Sequence, residues 1–175
     1  GKGFASLPHI CAISAEGNLF NAEEEEGVMS HLTPLASSLF SLRLSHNPLR
    51  VVEEGMGKMT HLTSLHLSYC HIAVLPPLVS TLNRLHVFAL DHNRIESLPP
   101  CLGVSYPLLE VFKLESNPLH SLPLSFCNLP STAVITLSTP SELAPHPILA
   151  PLLSASASAS PLSSRPLPPH CIFEC

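Results

Sequence analysis

The chain has no tryptophan, and aromatic residues make up only 5% of its 175 positions. A core with so few rings must be aliphatic, and a hydrophobic content of 45% supplies one. Lys and Arg number only eight, against thirteen Asp and Glu, and they are scattered. This argues against nucleic acid as a partner, because such a surface needs a concentrated basic stripe. No apolar run reaches the roughly 18–20 residues of a membrane-spanning helix, so no membrane span is expected. There is no Asn-x-Ser/Thr sequon, and the six cysteines form no dense cluster. Both absences favour reduced thiols and a cytoplasmic location. No nucleophile elbow or phosphate loop occurs either. No catalytic residue or cofactor is therefore assigned, and the chain is not read as an enzyme.

What is there is a phrase that returns. It reads LFSLRLSHNPL from Leu39, LTSLHLSYCHI from Leu62, LHVFALDHNRI from Leu85 and LEVFKLESNPL from Leu109, at steps of 23, 23 and 24 residues. A fixed period of this size marks a solenoid, whose units bury their cores only by stacking on one another. Leu42 and Leu44 alternate with Ser41 and Arg43, as do Leu65/Leu67, Phe88/Leu90 and Phe112/Leu114 with their neighbours. This is the period of a short strand with one face inward. An Asn-type position follows, at Asn47, Cys70, Asn93 and Asn117. There the chain turns into the interior and its backbone groups need a side-chain amide as partner. Cys70 is a weaker substitute, so the second turn is expected to be less well satisfied. Leu49, Ile72, Ile95 and Leu119, then Val52, Leu75, Leu98 and Leu122, supply further anchors. Pro76, Pro99 and Pro123 start extended return arms, and Met56, Val79, Leu102 and Phe126 close the core from the convex side.

The unit LxxLxLxxNxLxxLP resembles the leucine-rich-repeat family over about residues 39–137, and the 23-residue form with Leu-Pro resembles its Ras-group, intracellular branch. The resemblance implies a curved solenoid of α/β type. Short parallel strands would line its concave face, and irregular, 3-10 or helical arms its convex face. It also implies a protein-interaction domain. The motif consists of core positions and identifies no functional residue. Cysteine-rich caps, frequent in extracellular members, are not seen.

Three regions are expected. Residues 1–38 read as a degenerate N-terminal cap or partial repeat, with Glu16, Leu19 and Asn21 one 23-residue period upstream and Met29, Leu32 and Leu35 as its convex half. Glu23 to Glu26 read as a solvated charge run. Residues 39–139 form the repeat domain, four full repeats and a partial fifth whose strand contains Thr132, Ile135 and Leu137. Residues 140–175 hold eight of the nineteen prolines and a Ser-Ala alternation, a composition that builds no core and reads as a disordered tail.

Function is expected on the concave face. Strand alternation places Arg43, His66, Ala89 and Lys113 in one outward row. Ser45, Ser68, Asp91 and Glu115 form the next, and His46, Tyr69, His92 and Ser116 the last. Arg43, His46, His66, Tyr69, Asp91, His92, Lys113 and Glu115 are the candidate contacts with a protein partner, with Tyr69 and Arg43 foremost because both residue types are favoured at interfaces. His46 and His92 lie two rungs apart, roughly 10 Å at the backbone. A zinc ion needs bonds near 2.1 Å, so no metal site is assigned. The alternative reading is a regulatory or sensing piece of a larger kinase or disease-resistance receptor.

Overall fold

The computed structural model describes residues 10–20 and 27–137. Glu23–Glu26 and the tail from Pro140 onward lie outside them.

Six strands stack in chain order into one parallel sheet. They are β1 (Ala12–Ser14), β2 (Ser41–Arg43), β3 (Ser64–His66), β4 (Val87–Ala89), β5 (Val111–Lys113) and β6 (Val134–Thr136). From β2 to β6 the register follows the sequence period, with Leu42 opposite Leu65, then Phe88, Phe112 and Ile135. Each strand is only three residues long, so no rung holds itself. The backbone hydrogen bonds run to the next rung, as from Leu44 N to His66 O (2.9 Å) and Leu67 N to Ala89 O (2.8 Å).

The anchors read from the sequence form one continuous core. Leu42, Leu65, Phe88 and Phe112 are completely enclosed, and Met56, Val79, Leu102 and Phe126 close the convex side. Rings concentrate toward the C-terminal half. Phe88 and Phe112 stack with centroids 5.4 Å apart, and Tyr106 meets Phe88 edge-on at 5.8 Å. The buried Tyr106 hydroxyl donates to Val79 O at 2.9 Å, which satisfies its polar end; burial pushes its pKa up.

The return arms begin extended, at Pro76 and Pro123, and become short 3-10 turns over Pro77–Thr81 and Leu124–Asn128. In the first full repeat Glu53 adopts the same extended backbone without proline, ahead of Glu54–Lys58. The repeat that carries one extra residue instead forms α2 (Leu102–Ser105). Gly103 of α2 touches the next arm. A Cβ there would meet the Ser125 carbonyl oxygen, and Gly103 N donates to Ser125 Oγ at 3.1 Å.

The register expected upstream of Leu39 is corrected. Ile13 pairs with Leu42, an offset of 29 rather than 23 residues. The anchors are Ile10, Ile13 and Ala15, which pack against the core, not Glu16 and Leu19; Asn21 lies outside the described residues. Asn18 takes the turn position and donates to Ala15 O at 2.9 Å. The longer connection accommodates α1 (Val28–Leu32), whose Met29 and Leu32 are buried along with Leu35. No side chain of its own caps α1. The Glu53 carboxylate reaches from the next rung to accept Met29 N at 3.2 Å, and burial raises its pKa despite that bond.

Candidate binding surface on the strand face

At the end of each strand from β1 to β5 the backbone takes one left-handed step. Gly17, His46, Tyr69, His92 and Ser116 have φ of 66°, 60°, 57°, 55° and 58°. Only the first is glycine, and a left-handed conformation costs other residues roughly 1–2 kcal/mol each. Cross-rung hydrogen bonds hold the steps in place: Gly17 N to Ser45 O (2.9 Å), His46 N to Ser68 O (2.8 Å), Tyr69 N to Asp91 O (3.1 Å) and His92 N to Glu115 O (2.8 Å). The five positions are thus equivalent, one per rung, and strand alternation no longer governs where their side chains point.

Three of these positions carry rings, and the rings stack. His46 and Tyr69 have centroids 4.4 Å apart at 12°, and Tyr69 and His92 are 4.1 Å apart at 10°. The spacing is slightly under the 4.7–4.9 Å between adjacent strands, so the rings close up on one another. Each such pair contributes about 0.5–1.5 kcal/mol beyond its buried area. Both faces of Tyr69 are used, yet the residue keeps 42% of its surface exposed, at its edge. The ladder therefore presents polar ring edges on a rigid apolar support.

The remaining candidates are tied down in other ways. Arg43 Nε donates to Glu16 Oε1 at 2.8 Å. The Asp91 carboxylate accepts from Ser68 Oγ at 2.6 Å, and Glu115 accepts from the Thr136 hydroxyl. His66 Nε2 lies 2.9 Å from Ser64 Oγ. Burial holds its pKa below the usual imidazole value, Arg43 and Lys113 lower it further, and Glu16 and Asp91 pull the other way. Lys113 is exposed beside the buried Ala89. Ala89 and Ser45 are corrections to the expected outward rows, because both are buried. Ala89 is a methyl between the longer His66 and Lys113 of flanking rungs. Ser45 accepts Ser68 N at 3.2 Å.

The turn row beneath is a stitched line. Asn93 Nδ2 donates to Leu67 O and Leu90 O, both at 2.8 Å, while its Oδ1 accepts Cys70 N and Ile72 N, both at 3.0 Å. Asn117 and Asn47 repeat the scheme, with Ile95 N and Phe20 N as donors. Cys70 departs from it. Its single S–H faces Leu44 O (3.3 Å) and Ser68 O (3.4 Å). Sulfur is a poor acceptor, and Leu49 N turns instead to Asn47 O at 2.8 Å. Burial pushes the thiol pKa up to about 11, against the backbone amides of Asn47 and His46, so the thiol is neutral.

Sequence reasoning placed His46, Tyr69 and His92 in one row but missed Glu16 and Gly17 as members of the surface. The available signal was Ala15-x-x-Asn18, the strand-to-turn spacing at a 29-residue offset. Among the described residues no group of three or more His, Cys, Asp or Glu is placed to hold a metal ion. Among them, too, no helix is long and apolar enough to cross a membrane.

Comparison with known proteins gives the same architecture. The family model described as Leucine Rich Repeat matches residues 61–82. Mimecan of Mus musculus is 33% identical over 135 residues, 77% of this chain and 43% of its own length. Receptor-like protein 54 of Arabidopsis thaliana is 31% identical over 129 residues, 72% of this chain and 16% of its own length. Among solved structures, a leucine-rich-repeat protein of Leptospira interrogans superposes with a TM-score of 0.67 at 22% identity, over 78% of this chain and 33% of its own. The chain spans less than half the length of these relatives.

Proposed function

Because this chain belongs to the leucine-rich-repeat family, we propose that it is a non-catalytic interaction module that binds a protein partner on its strand face. The observation that supports this reading is the His46–Tyr69–His92 ladder. It places exposed rings on a left-handed step that recurs from rung to rung, where glycine would avoid a cost of roughly 1–2 kcal/mol per residue. Rigid aromatic groups with polar edges make good anchors, since little side-chain freedom is lost when a partner docks. The Leu-Pro steps at Leu75-Pro76, Leu98-Pro99 and Leu122-Pro123 support the Ras-group assignment. The accompanying proposal of intracellular signalling in the cytoplasm rests on that assignment; the named relatives lend it no support. Fractionation of cells that express the tagged chain tests it, and recovery in the medium overturns it.

The test of binding is a pull-down from native extract, followed by titration of the recovered partner. Tyr69→Ala with His46→Ala should weaken binding at least tenfold, about 1.4 kcal/mol, with the fold retained. The convex pair Lys58→Ala with Arg84→Ala, both exposed, should leave it unchanged. The reverse pattern moves the function to the opposite surface.

A second reading has one observation in its favour, the similarity to Receptor-like protein 54, of which the chain matches only 16%. In that reading the chain is the sensing part of a larger receptor or kinase. An adjoining kinase or nucleotide-binding motif in the full reading frame decides for it.

A further inference from the structure

The ring ladder ends differently at its two ends. Beyond His92 the next equivalent position is Ser116, which carries a side chain of its own. Beyond His46 it is Gly17, which carries none. Among the described residues, nothing lies within 4 Å of where a Cβ on Gly17 would be. Among the described residues, the outer face of the His46 ring therefore looks onto a rung where the ladder stops. One rung further, at the spacing already taken by three rings, there is room for one planar group.

We propose that the gap over Gly17 is a stacking slot in which an aromatic side chain of a protein partner becomes the fourth ring of the His46–Tyr69–His92 ladder. This deepens the strand-face reading above and rests on it. Three observations support it. The ladder sets the orientation: the existing rings lie within 12° of parallel, so an incoming ring finds a pre-aligned platform. The backbone sets the height, because Gly17 N is bonded to Ser45 O just as His46 N is to Ser68 O, which keeps the slot one strand spacing deep. Shape selects the occupant. An aromatic side chain matches the flat, parallel rings face to face, and the neighbouring Arg43–Glu16 pair is already charge-balanced.

The probe is N-acetyl-tryptophanamide, titrated into the full chain. The protein has no tryptophan, so the emission reports the probe alone. Saturable quenching is expected, with upfield ring-current shifts of the His46 ring protons larger than those of His92. Gly17→His fills the slot with a residue type that the equivalent position already accepts at positive φ; it should weaken the probe about tenfold, the factor that one stacked pair contributes. His46→Ala, which removes the platform, should do the same should Gly17→His fail to fold. Ser116→His, at the other end, should leave affinity unchanged. No saturable binding, or binding with His46 unmoved, overturns the slot. The partner pull-down with Tyr69→Ala and His46→Ala stands apart from it. A partner lost with those variants but retained by Gly17→His keeps the strand-face reading and removes the slot.

Discussion

The second and third repeats have nearly the same pattern and are built differently. The second turns through Cys70 and returns along a 3-10 arm, Pro77–Thr81. The third turns through Asn93 and returns through the helical turn α2, with Gly103 against Ser125 and Tyr106 in the core. Asn93 gives the turn amides before it, Cys70 N and Ile72 N of the second repeat, a strong acceptor, so that turn is better satisfied than the sequence led one to expect. Cys70 gives the first repeat none: its thiol proton faces two carbonyls, and Leu49 N bonds to Asn47 O of its own turn. Both repeats bury their aliphatic anchors fully. The difference teaches that apolar stacking sets the period, while polar satisfaction of the turn varies from rung to rung.

The comparison breaks most visibly at Gly103. Gly103→Ala places a methyl on the Ser125 backbone carbonyl, which no rotamer can relieve. It should cost about 3 kcal/mol or more, read from urea midpoints. Ser80→Ala, at the matching place in the second repeat, should change the midpoint little. Equal losses at the two sites would show that α2 does not rest on the next arm.

Asn93→Ala comes next. It removes the acceptor for Cys70 N and Ile72 N and the donor to Leu67 O and Leu90 O, all in the interior. A loss of about 2–3 kcal/mol is expected, with faster amide exchange at Cys70 and Ile72. Cys70→Asn sharpens the contrast from the other side. It should be neutral or stabilise by up to about 1 kcal/mol, as Leu49 N gains the acceptor that its counterparts Ile72 N and Ile95 N already have. A large loss would mean that the second turn has settled into a geometry no amide can enter.

The smallest effect is one of pH. His66 of the second repeat is matched by Ala89 in the third. With its folded pKa held below the unfolded 6.5 by burial and by Arg43, the unfolded chain binds the proton more readily. The stability tied to neutral His66 is therefore complete above about pH 6.5 and is lost as pH falls through the folded value. Melts at pH 7.5 and 5 should differ less in His66→Ala than in the parent, and Arg43→Ala should raise the titration midpoint of His66 in NMR. An unmoved midpoint would remove Arg43 as a cause.

Much of this was legible in the sequence, because core positions repeat. Leu42, Leu65, Phe88 and Phe112 had to face inward, and the row of His46, Tyr69 and His92 followed from counting. The first rung was hidden. Its connection is six residues longer than the period, and its anchors Ile10, Ile13 and Ala15 do not repeat the leucine pattern. Alternation could not show that Ala89 is buried, since that depends on the length of its neighbours rather than on its own direction. Nor could it show the stacking of the rings, because left-handed steps at histidine and tyrosine leave no mark in composition.

The asparagine row also gives the stack a direction. The oxygen of each Asn serves amides of the rung before it: Asn47 for Phe20, Asn93 for Ile72, Asn117 for Ile95. Peeling away a rung at the C-terminal end strips acceptors from the rung that remains. Peeling one from the N-terminal end breaks the same bonds, but the group left behind is a side-chain amide that keeps a carbonyl of its own rung, as Asn93 keeps Leu90 O when Cys70 N, Ile72 N and Leu67 O are gone. The stitching is thus asymmetric: the stack should loosen more readily from its first turn than from its last.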